Sequence, residues 1–75
     1  GLCSFGFACR MAIAALIPGE PERMTRMAAQ MSSVLYPDTP VRLELWHAGE
    51  KQAYFRLMNL KTGKPVLNRG VFEWK

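Results

Sequence analysis

The 75 residues carry ten Lys and Arg against six Asp and Glu, a formal charge of +4, with 49% apolar side chains. That length allows one domain, near the size at which a lone core is only marginally stable, and the apolar content excludes a disordered chain. The positive balance suits an anionic ligand, an acidic partner or nucleic acid and by itself selects none of them; no basic–aromatic motif of the recognised nucleic-acid modules occurs, so nucleic acid is not an expected partner.

The chain opens on a run from Leu2 to Ile17 in which nearly every side chain is apolar or small and Arg10 is the only charged one. Such a run reads as a helix that is apolar all round, and helices of that kind sit wrapped on most sides. At roughly 24 Å it is short for a bilayer crossing, and no membrane span is expected. It has no charged leader region of the kind that opens a signal peptide. The expectation is a central helix that is the most buried element of the fold, with Gly6, Ala8 and Ala12 permitting close approach of strands. Pro18-Gly19-Glu20-Pro21 ends it, since proline cannot continue a helix and glycine suits the exit. Glu22 to Thr25 have room for one further turn.

From Arg26, the residues Met27, Ala29 and Met31 alternate with Arg26, Ala28 and Gln30; methionine and alanine also suit a helix, but the period of two reads as a strand. Ser32 and Ser33 break the pattern before Val34-Leu35-Tyr36, and Pro37-Asp38-Thr39-Pro40 reads as a turn. Two clear strands follow. Val41, Leu43, Leu45 and His47 share one face against Arg42, Glu44 and Trp46; the return through Ala53, Phe55 and Leu57 opposes Tyr54, Arg56 and Met58. Gly49 between them predicts a hairpin. Thr62-Gly63-Lys64-Pro65 turns the chain into a last strand over Val66–Trp74. The reading is α+β: a three-stranded antiparallel meander, joined by the strand before it, packed on one helix. Four strands cover only part of an all-round apolar cylinder. The rest calls for further protein, either a missing N-terminal half or another chain.

Candidate chemistry is sparse. Cys3 and Cys9, six apart on the helix, point to different faces and should not pair; two unpaired thiols fit a reducing compartment. A single His, with no CxxC or HxxxH spacing, predicts no zinc site. His47 stands alone in a strand, and Lys51, Arg56, Lys61, Lys64 and Arg69 form no single run.

Several segments, in order, resemble one family. Gly1-Leu2-Cys3-Ser4-Phe5-Gly6-Phe7-Ala8-Cys9-Arg10 resembles the start of the central helix in MaoC-like dehydratases and the enoyl-CoA hydratase 2 group, where the segment typically reads Gly-Leu-Cys-Thr-Phe-Gly-Phe. Val34-Leu35-Tyr36-Pro37-Asp38-Thr39-Pro40-Val41 is similar to that family's Pro-Val-Tyr-Pro-Gly-Glu-Thr-Leu kind of turn. The likeness runs on through Leu43-Glu44-Leu45-Trp46 to Pro65-Val66-Leu67-Asn68-Arg69-Gly70, so it covers essentially the whole chain.

The resemblance implies a hotdog fold, incomplete here, in which an antiparallel sheet wraps one long helix; residues 1–75 would be the C-terminal part of a single such domain. It implies the reversible hydration of a trans-2-enoyl-CoA to an (R)-3-hydroxyacyl-CoA in fatty acid metabolism, with the coenzyme A thioester as substrate and no cofactor. The family's Asp-x-Asn-Pro-x-His acid–base motif lies upstream of its central helix and has no counterpart here, so no catalytic side chain carries over and the 75 residues alone are expected to be inactive. What carries over is the backbone N–H at Gly1 as oxyanion donor, with Leu2, Cys3, Ser32 and Ser33 as substrate-binding positions. Further implications are a homodimer or double hotdog and an intracellular reducing site in cytoplasm, peroxisome or mitochondrion. The alternative is a non-catalytic hotdog module acting as a structural or interaction subunit.

Overall fold

A computed structural model describes residues 4–75. Among these the order is α1 (Ser4–Leu16), a short 3-10 turn (Pro21–Arg23), then β1 (Met24–Met31), β2 (Val41–Gly49), β3 (Gln52–Asn59) and β4 (Lys64–Trp74). The further turn expected over Glu22 to Thr25 is a 3-10 turn at Pro21–Arg23, and Met24 and Thr25 already belong to β1. That strand starts two residues before the alternation, at Met24, and ends at Met31, where Ser32 and Ser33 break the pattern.

The four strands form one antiparallel sheet in the order β1-β4-β3-β2. The meander β2-β3-β4 is as the sequence reads, and β1 returns along the far edge of β4. Alternation sets the faces. Leu43 pairs with Leu57, Leu45 with Phe55 and His47 with Ala53 on the side that α1 covers, while Glu44–Arg56 and Trp46–Tyr54 pair on the other. Phe55, Leu57, Val66, Leu67 and Phe72 are buried with Ala8, Ala12 and Ile17 in one cluster. Each large side chain there contributes about 1.5–3 kcal/mol by leaving water.

The helix is less buried than its composition predicts. Only Ser4, Ala8 and Ala12 are buried within it. These lie four apart, a single stripe facing the sheet. Ala8 and Ala12 do let the strands approach, but Gly6 is exposed on the far side with Arg10, Ala14 and Ala15, and Phe5, Phe7 and Ile13 are half-buried. The reason is geometric. Among the described residues the sheet lies on one side of the helix, and β3 and β4 hold most of the core. At the exit, Ile17 N donates to Ile13 O (2.9 Å) and Glu20 N to Ile17 O (3.0 Å), after which the chain turns at Pro18 and Gly19.

Strand β4 carries an irregularity that the alternating pattern conceals. Ala28 pairs with Val71 and Gln30 with Asn68, while Phe55 pairs with Gly70 and Leu57 with Leu67. Strand β4 thus carries one extra residue here against each neighbour, and Arg69 falls outside both ladders. Arg69 sits at φ 52, in the left-handed region. A bulge bends its strand and deepens the local twist. A second irregularity lies at Val66, because Leu57 pairs with Leu67 and the adjacent Met58 with Pro65, so Val66 and Leu67 are consecutive and both buried. Next to Arg69, Gly70 lies under the Phe55 ring, where a Cβ would meet Cε1 at 2.5 Å.

Candidate functional site

The predicted oxyanion position Gly1, and its neighbours Leu2 and Cys3, lie outside the described residues. What is described is the turn that follows them. Ser4 opens α1 and is buried, so the first turn of the helix is held against the protein. A helix start presents unpaired N–H groups and the positive end of the dipole. Cys9, the other cysteine, is a free, half-buried thiol whose Sγ lies 3.7 Å from Met24 Sδ, between α1 and β1.

Ser32 and Ser33 follow β1 and run beside the start of β4. Both backbone N–H groups donate to Val66 O, at 2.8 and 3.4 Å. The Ser33 hydroxyl donates to Pro65 O at 2.8 Å. Ser33 therefore ties its segment to β4, and Ser32 is exposed. The large side chains this segment offers to solvent are Met31, Val34 and Tyr36, each at least 60% exposed. The sequence reading singled out the serines. The pattern that would have pointed to their neighbours is the uncharged stretch from Met31 to Tyr36.

Proton transfer needs a paired acid and base. The chain holds one Asp and one His. Asp38 is exposed in the Pro37–Asp38 turn before β2, with φ 61, and His47 is exposed near the far end of β2. Six residue steps along β2 lead from Val41 to His47, about 20 Å of extended chain, so Asp38 and His47 are not placed to act on one substrate atom. His47 instead meets Trp74 edge-on, ring centroids 6.4 Å apart.

The cationic residues are dispersed. Lys51 sits at the β2–β3 turn and Lys61 and Lys64 at the β3–β4 turn, where Asn59 Oδ1 accepts Lys61 N (2.8 Å) and Thr62 N (3.2 Å). Arg56 lies on the open sheet face, its guanidinium 5.4 Å over the Trp46 ring, and donates to Glu44, which Arg42 also bonds at 3.2 Å. The Arg56 hydrogen bond, with lesser help from Arg42, holds the Glu44 carboxyl below its ordinary 4.5. No helix among the described residues is long and apolar enough to cross a membrane.

With this geometry in view, the class is a partial hotdog: a four-stranded antiparallel sheet carrying one helix on one face. A MaoC-like dehydratase from Phytophthora capsici has the same fold over 97% of this chain, with a TM-score of 0.91, 22% identity, and 25% of that chain covered. The sequence is 28% identical to a peroxisomal multifunctional enzyme type 2 of Drosophila melanogaster over all 75 residues, which span 12% of that enzyme. It is 25% identical to a probable enoyl-CoA hydratase 2 of Dictyostelium discoideum over 71 residues, 95% of this chain and 24% of that protein. No family model matches the chain. The chain thus spans a quarter or less of each relative, and the resemblance to the MaoC-like and enoyl-CoA hydratase 2 group read from its motifs is borne out.

Proposed function

We propose that this chain is the C-terminal part of a hotdog domain in an (R)-specific enoyl-CoA hydratase or dehydratase, working reversibly on trans-2-enoyl-CoA. The observation that carries the reading is the end-to-end alignment with a multifunctional enzyme and a hydratase 2, on a fold shared with a MaoC-like dehydratase. In this reading the chain supplies scaffold and electrostatics. The backbone N–H at Gly1 faces the thioester carbonyl oxygen, and a fixed donor aimed at a developing enolate lowers the barrier by about 3 kcal/mol. Leu2, Cys3, Ser32 and Ser33 border the acyl thioester, with Ser33 anchored through its hydroxyl to Pro65 O. The acid–base pair comes from polypeptide outside these 75 residues. A second hotdog, in a homodimer or double hotdog, covers the outer side of α1. A reducing compartment fits the free Cys9 thiol, with the peroxisome as the first place to look.

The test is hydration of trans-2-butenoyl-CoA, followed by loss of the enoyl thioester absorbance, for the longest natural polypeptide carrying this chain. Turnover to the R product supports the reading, and no turnover on enoyl-CoA of any chain length overturns it. A second reading, a non-catalytic hotdog module within an assembly, draws on the separation of Asp38 and His47 at opposite ends of β2. An intact Asp-x-Asn-Pro-x-His sequence encoded upstream of Gly1 supports the enzyme, and a degenerate one supports the module.

A further inference from the structure

We draw no further inference here: the strongest candidate, the Trp46–Tyr54 pair flanked by Arg42 and Arg56 on the sheet face opposite α1, is an exposed patch with nothing in the structure to show what covers it.

Discussion

Replacing Gly70 by Ala tests the packing at the centre of the sheet. The added methyl carbon would lie 2.5 Å from Phe55 Cε1 and 2.6 Å from Cδ1 and Cζ. Carbon atoms rest at about 3.5–4.0 Å, so the ring must retreat by about 1 Å. Phe55 is 2% exposed and enclosed by Leu57, Val66 and Phe72, which leaves it no free direction. Overpacking of this kind costs about 1–3 kcal/mol. Alanine also stiffens the unfolded chain, which offsets about 0.4–1 kcal/mol. The net expectation is a loss of about 1–2 kcal/mol, or a fall in melting temperature of about 5–15 °C for a domain of this size. Thermal unfolding followed by circular dichroism reads it. The double variant Gly70→Ala/Phe55→Leu isolates the cause, because without the ring the methyl group has room. The double variant should melt no lower than Phe55→Leu alone, a coupling of about 1 kcal/mol or more. A Gly70→Ala protein that melts with the wild type, or losses that simply add, would refute this packing.

Three further outcomes are expected. Ala12, fully buried at the helix–sheet contact, should tolerate no bulk: Ala12→Phe should destabilise by about 1–3 kcal/mol, and an unchanged melting midpoint would count against a helix seated on this sheet. Arg69→Gly should be neutral or stabilising by up to about 1 kcal/mol in chemical denaturation, since glycine adopts φ 52 without the Cβ penalty, whereas Arg69→Val should destabilise. Glu44 should confer a small pH-dependent stability. Its pKa is lowered on folding, so the contribution is present above the ordinary 4.5 and fades as pH falls through the folded value. The melting difference between wild type and Glu44→Gln should therefore shrink on acidification, and a difference that grows in acid would reverse the assignment.

Much of this fold is legible from residue type and spacing. The alternation Val41/Leu43/Leu45/His47 against Arg42/Glu44/Trp46 fixes both faces of β2, and Gly49 and Gly63 mark the two turns of the meander. The pattern fails where the backbone adds a residue. One extra residue falls around Arg69 and another at Val66, and the second leaves Val66 and Leu67 buried side by side, which strict alternation does not anticipate. Helix burial was overread for a different reason: composition reports how apolar α1 is, not how much of it four strands can enclose. The site was legible only as a resemblance. Ser32 and Ser33 are where the reading put them, yet the Ser33 hydroxyl turns inward to Pro65 O, a long-range bond that local sequence does not encode. Gly1, Leu2 and Cys3 lie outside the described residues and stay an inference from the motif.

The most direct test of the central claim, that these residues supply scaffold and not proton transfer, compares hydration of trans-2-butenoyl-CoA by the isolated 75-residue chain with hydration by the natural polypeptide that carries it. The account predicts rapid hydration by the longer polypeptide and none above the uncatalysed rate by the isolated chain, whose Asp38 and His47 stand at opposite ends of β2. Fast hydration by the 75 residues alone would contradict it.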